Sequence, residues 1–155
     1  MINLIEENDV TYVTLSLELE RASIMYETRE EGQSLYVTED NFFPFWIRIR
    51  KNSGLIGLGT YLKFRSSATE LQKLTLANEF NRCAFGITAY KDGDQLKIDH
   101  VLNYRSGILR ESFIKVSRNF SSVITKSICD HDPSYDLLMP LSEMSSQSDN
   151  ESTSE

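Results

Sequence analysis

The chain is poor in cysteine, proline and histidine: 155 residues hold two cysteines, three prolines, two histidines and one tryptophan. Two cysteines so far apart as Cys83 and Cys129 cannot frame a disulfide scaffold, and each reads as a small buried hydrophobe. Long apolar runs are missing too. None approaches the roughly 18 residues that a membrane span needs, and residues 1–9 are acidic rather than basic and then apolar, so no membrane contact and a cytoplasmic location are expected. Bases are in deficit, 16 against 23 acids, for a net charge of −7 and a pI near 4.9, which argues against a general polyanion binder. What remains, 40% hydrophobic and 25% charged residues, suits one ordinary domain that buries about 70% of its unfolded surface.

Charge falls in three blocks. Residues 1–41 hold 10 acids and 2 bases, residues 42–128 hold 6 acids and 14 bases, and residues 129–155 hold 7 acids and no base. The middle is therefore basic. Residues 142–155 contain six serines, one threonine and four acids, with Met144 the one large apolar side chain. Such a segment cannot offset its ordering entropy, so the expected division is a single α+β domain over 1–139 and a disordered acidic, serine-rich tail over 140–155.

From Asn8 the pattern fits a strand through Val13, Leu15, Leu17 and Leu19, or a helix with a stripe at Val10, Val13 and Leu17; a helix capped by Asn8 or Asp9 is the preferred reading. Residues 23–27 and 34–37 flank Glu30-Glu31-Gly32-Gln33 as a first hairpin. Residues 45–51 and 55–65 alternate around Asn52-Ser53-Gly54 as a second, with Pro44 expected to open an edge strand. Thr69 begins a helix carrying Leu71, Leu74, Leu76 and Phe80. Residues 85–91 and 95–103 flank Asp92-Gly93-Asp94 as a third hairpin. Leu109, Phe113, Val116, Phe120, Val123, Ile124 and Ile128 then step along a last helix that ends before Asp132-Pro133. The expected order is α-β-β-β-β-α-β-β-α, an antiparallel sheet with helices packed on it.

Register follows from the apolar face, because a slip by one residue turns every side chain over. For Phe45, Ile47 and Ile49 to share a face with Ile56, Leu58, Leu62 and Phe64, odd positions must oppose even ones. The opposite face then carries Trp46, Arg48 and Arg50 beside Gly57, Gly59, Tyr61 and Lys63. Aromatic and arginine side chains supply most hot-spot energy at interfaces, so Trp46, Arg48, Arg50, Tyr61 and Lys63 form a candidate protein-contact surface. The plainer reading is a solvated face with arginine stems lying over Trp46. Bases stacked on Trp46 and Tyr61 are a third reading, which the acidic flanks disfavour. The run 42–46 reads as core packing, with Phe42 or Phe43 beneath a terminal helix.

Catalytic patterns are not found. The run 54–60 is rich in glycine but lacks a Gly-Lys-Ser/Thr ending and does not open a helix, so it reads as a closely packed strand. Cys129, Asp130, His131 and Asp132 are consecutive and rarely would converge on one ion; a helix-ending loop is the expectation, with no metal and no cofactor. His100 continues the alternation Leu96, Ile98, Leu102 as a core or rim residue. No serine sits in a nucleophile elbow, and no paired acid and base is apparent, so an enzyme is not expected.

Residues 34–37 (Ser-Leu-Tyr-Val), Pro44-Phe45-Trp46-Ile47-Arg48-Ile49, and Asn78-Glu79-Phe80-Asn81 before the hairpin at Asp92-Gly93-Asp94 and a long amphipathic helix resemble the YbjN family. That family is described as candidate bacterial sensory-transduction regulators with a fold like that of type III secretion chaperones. The resemblance covers roughly residues 8–128. It implies a small, non-catalytic protein that works by binding other proteins, often as a homodimer. The leading expectation is a protein-binding adaptor or chaperone-like regulator in bacterial signalling or stress response, with a protein partner, while the acidic flanks disfavour nucleic acid. The alternative is a nucleic-acid-associated regulator using the basic centre. Asn78 and Asn81 carry over as structural groups at a helix end; the acidic tail is not part of the family pattern.

Overall fold

The computed structural model describes residues 3–145. The elements are β1 (Leu4–Ile5), α1 (Tyr12–Arg21), β2 (Tyr26–Arg29), β3 (Ser34–Val37), β4 (Phe45–Arg50), β5 (Leu55–Lys63), α2 (Glu70–Cys83), β6 (Thr88–Asp92), β7 (Gln95–Asn103), β8 (Ile108–Leu109) and α3 (Arg110–His131). Beyond the two-residue strands β1 and β8, which pair as Leu4↔Leu109 and Ile5↔Ile108, this is the expected α+β order. The main sheet runs β2-β3-β4-β5-β7-β6. Its edges are therefore β2 and β6, and β4 is interior: Pro44 precedes the strand rather than marking an edge, and its carbonyl accepts from the Thr60 hydroxyl at 2.9 Å.

The described chain forms two compact units. The first takes in the chain up to Thr60 with Asp99–Thr125, the second Tyr61–Ile98 with the chain from Lys126 onward. In the first unit β4 and β5 pair as Ile47↔Leu58 and Ile49↔Ile56, the odd-on-even register expected from the apolar pattern. Phe45, Ile47, Ile56 and Leu58 are all buried. Phe120 of α3 meets Phe45 edge-on at 5.2 Å, and the Phe43 N–H donates to the Ser121 hydroxyl, so the aromatic run does pack against α3. Each such side chain, fully buried, contributes about 1.5–3 kcal/mol. Gly54 closes the β4–β5 turn at φ +66°, where a Cβ would lie 2.5 Å from Arg105 Cγ. Neither space nor conformation there suits a side chain.

The helices keep their places; α3 buries Phe113, Phe120, Ile124 and Ile128 as its stripe predicts, while α1 and α2 turn partly different faces inward. α1 is capped by Thr11, whose hydroxyl accepts from the Thr14 N–H at 3.1 Å, rather than by Asn8 or Asp9, which lie in or beside a 3₁₀ turn. Its buried positions are Leu15, Glu18 and Leu19, while Val13 and Leu17 are 69% and 45% exposed. Buried Glu18 is tolerated because Arg21 and Arg110 both pair with it. β2 begins at Tyr26, since Ser23 takes φ +56° in a turn.

In the second unit α2 starts at a capping box between Thr69 and Gln72. Lys73, Leu76, Ala77 and Phe80 are buried; Leu71 and Leu74, expected inside, are 74% and 52% exposed. β6 begins at Thr88 rather than Phe85, because Gly86 turns the chain at φ +80° and leaves Phe85 96% exposed. The Gly93-Asp94 turn joins β6 to β7, with Gly93 at φ +59°. Cys83 and Cys129 are exposed free thiols, not buried hydrophobes: each lies off the buried stripe of its helix. After α3, the Asp132 carboxylate accepts from the N–H groups of Asp136, Leu137 and Leu138 and folds the chain back so that Leu138 bridges Phe64. Part of the segment expected as a tail over 140–155 is ordered. Residues 141–145 are helical, and Glu143 takes both terminal nitrogens of Arg65 at 3.1 Å; residues 146–155, the rest of that tail, lie outside the described residues.

Candidate functional site

On the face of the sheet opposite the core, β3 and β4 place Tyr36 directly across from Trp46. The two rings pack at 4.5 Å between centroids with a tilt of 40°. Arginines extend the pair at both ends: Arg29 of β2 lies 3.9 Å above the Tyr36 ring, and Arg48 of β4 lies 5.7 Å from the centre of Trp46. The result is a ladder, Arg29–Tyr36–Trp46–Arg48, across three strands. Cation–π attraction and stacking hold each rung, contributing about 0.5–1.5 kcal/mol per contact. Across from Trp46 and Arg48 on β5 stand Gly59 and Gly57, which add no side chain to this face.

Arg48 also takes Glu30 in a two-nitrogen contact, with distances of 2.8 and 3.4 Å. That guanidinium holds the Glu30 carboxyl below the usual carboxylate range. Arg29 is oriented likewise by Glu27, at 2.8 and 3.1 Å. A cleft of about 700 Å³ opens beside Arg48, lined by Thr11, Tyr12, Glu30, Arg50 and Lys51. Tyr12 is fixed there, its hydroxyl accepting the Ile49 N–H at 2.8 Å.

Of the residues singled out from sequence, the first unit brings together Trp46 and Arg48, with Arg50 on the cleft wall. Tyr61 and Lys63 belong to the second unit, half-buried on the alternate positions of β5. Arg29 and Tyr36 were missed, since nothing in the alternation of 26–37 says that β3 rather than another strand lies beside β4. His100 is a half-buried rim residue of β7, as expected. Asn81 does serve the end of α2, bonding Ala89, whereas Asn78 points outward as an exposed residue. Among the described residues no helix is long and apolar enough to cross a membrane.

No family model matches the chain, and no curated protein matches it significantly. Among solved structures it is similar to YbjN from E. coli, described as a candidate transcription regulator, with a TM-score of 0.67 over 83% of this chain and 95% of that one, at 21% sequence identity. At that identity the likeness is one of architecture: this chain has the YbjN-like α+β fold that its sequence resembles.

Proposed function

We propose that the chain is a non-catalytic, cytoplasmic protein-binding adaptor or chaperone-like regulator, and that Trp46 and Arg48, flanked by Tyr36 and Arg29, contact its partner. The observation that supports this reading is the ladder itself. Tryptophan, tyrosine and arginine dominate interface energetics, and rings already held against one another lose little freedom when a partner arrives. The decisive experiment is an affinity pull-down of the tagged protein from its own cytosol, with and without nuclease, read by mass spectrometry. A nuclease-resistant partner lost with Trp46→Ala and with Arg48→Glu supports the surface. A partner that binds both variants as it binds the parent removes it.

A second reading, a nucleic-acid-associated regulator, draws on two observations. Arg50 and Lys51 line the cleft beside Arg48 with no acidic partner among the described residues, and the similar structure is described as a candidate transcription regulator. Such binding weakens steeply with salt through counterion release, so a flat salt response rejects it. Homodimerisation is a further part of the proposal, resting on the sheet edges β2 and β6, and chiefly on β2, since Asn81 already takes the Ala89 backbone groups on β6. A monomer by light scattering at high concentration counts against it.

A further inference from the structure

We propose that Glu79, Cys83 and His131 form a binding site for a divalent transition-metal ion of the zinc class, independent of the contact surface above. Glu79 and Cys83 stand four residues apart on α2, one turn along the same face. His131 is the final residue of α3 and lies in the same unit. Each of the three brings a ligand-type atom within 4.8 Å of the other two. Ligand atoms around tetrahedral zinc stand about 3.5 Å apart, given metal–ligand bonds of 2.0–2.3 Å. Small side-chain torsions close the difference.

The surroundings of each ligand fit. Nε2 of His131 is shut off from solvent and has no hydrogen-bond partner among the described residues, a costly state for a buried polar atom that ligation of a metal through Nε2 would relieve. Arg82 binds Glu79 through Oε2 alone, at 2.6 and 3.2 Å, orienting the carboxylate as outer-sphere partners of metal ligands do. Cys83 is exposed and gives the ion an entry path, with a fourth position left for water. A thiolate, an imidazole and a carboxylate make a mixed sulfur, nitrogen and oxygen set. That set suits zinc and its neighbours, and not magnesium or calcium, which take oxygen ligands.

The consecutive run Cys129-Asp130-His131-Asp132 does not compete as a unit. Asp132 is committed to the backbone N–H groups of 136–138, and Asp130 pairs with Lys126, so His131 alone turns to α2. Binding displaces the proton of the Cys83 thiol to solvent, with no change of oxidation state, and ties the end of α3 to α2.

The test is a titration of the untagged full chain, stripped with a chelator, with Co²⁺ and then Zn²⁺. One equivalent of cobalt should give a thiolate-to-cobalt charge-transfer band, which zinc should bleach while raising the midpoint of thermal unfolding. Cys83→Ser should abolish the band, and Glu79→Gln and His131→Gln should weaken binding roughly tenfold or more. Cys129→Ser should bind as the parent does. Because Cys83 is exposed, its serine variant keeps the fold, which circular dichroism verifies. No band in the parent, a band that survives Cys83→Ser, or one lost with Cys129→Ser overturns the assignment.

Discussion

The side-chain amide of Asn81 clamps the backbone of Ala89 from two directions: Nδ2 donates to its carbonyl and Oδ1 accepts its N–H, both at 2.7 Å. One side chain at the end of α2 thereby satisfies two backbone groups on the edge strand β6. Asn81→Ala removes both bonds beside a buried residue and should cost about 1–3 kcal/mol. In urea denaturation the midpoint falls with the slope unchanged, and a midpoint equal to the parent's contradicts the clamp.

Acid should weaken the second unit through Asp94 and Glu70. Asp94 bonds Lys73 at 2.8 Å, and Glu70 pairs with Lys91 and Lys73 at 2.8 and 3.2 Å. Those ammonium groups hold both carboxyls below their ordinary values. A depressed folded value means stability fully present above the unfolded value, about pH 4, and lost as pH falls through the lower folded one. The Lys73 ammonium is raised, first by Asp94 and then by Glu70, so its share is present below its unfolded value and lost at strongly alkaline pH. Asp94→Asn should flatten the acid limb of stability against pH, and more so at low salt, since Asp94 is largely exposed. An unchanged acid limb rejects the link.

Asp132 is 3% exposed and accepts four backbone hydrogen bonds, from Asp136, Leu137 to each oxygen, and Leu138, at 2.8–3.2 Å. Asp132→Ala strands three N–H groups and should destabilise by on the order of 3 kcal/mol. Hydrogen exchange at 136–138 should rise first. Slow exchange there in the variant would mean that the return of the chain to Phe64 does not depend on this carboxylate.

Trp46 is the one tryptophan, so its emission reports on the ladder. Tyr36→Leu removes the tilted ring contact and should cost about 1 kcal/mol while changing the near-ultraviolet circular dichroism. Arg48→Ala, which loses an exposed cation–π contact with Trp46 and an ion pair to solvated Glu30, should cost less, at most about 0.5–1 kcal/mol. Equal, large losses in both variants would make the ladder a folding element rather than a contact surface.

The β4–β5 register was legible because two-residue alternation admits one pairing that buries Phe45, Ile47, Ile56 and Leu58 together, with Ile49 half-buried on the same face. The helical faces were less so. Lys73 counts as polar in any stripe, yet it is 6% exposed because Asp94 supplies its partner from a turn 21 residues away. Leu71 and Leu74 give up the inward position to it. Glu18 displaces Val13 and Leu17 in the same way, drawn in by Arg21 and, 92 residues on, Arg110.

Local chemistry in the chain by itself determined the hairpin turns, the start of α2 at Thr69 and the end of α3 before Asp132, the order of elements apart from the short β1 and β8, and the polarity of the β4 and β5 faces. These depend on φ preferences and on a period of two or 3.6, both written within a few residues. Tertiary structure alone decided that Tyr36 meets Trp46, that Asn81 clamps Ala89, and that Glu79, Cys83 and His131 converge. Each of these depends on which elements become neighbours, and that is set by the joint packing of side chains far apart in sequence, where a partner outweighs a residue's own polarity.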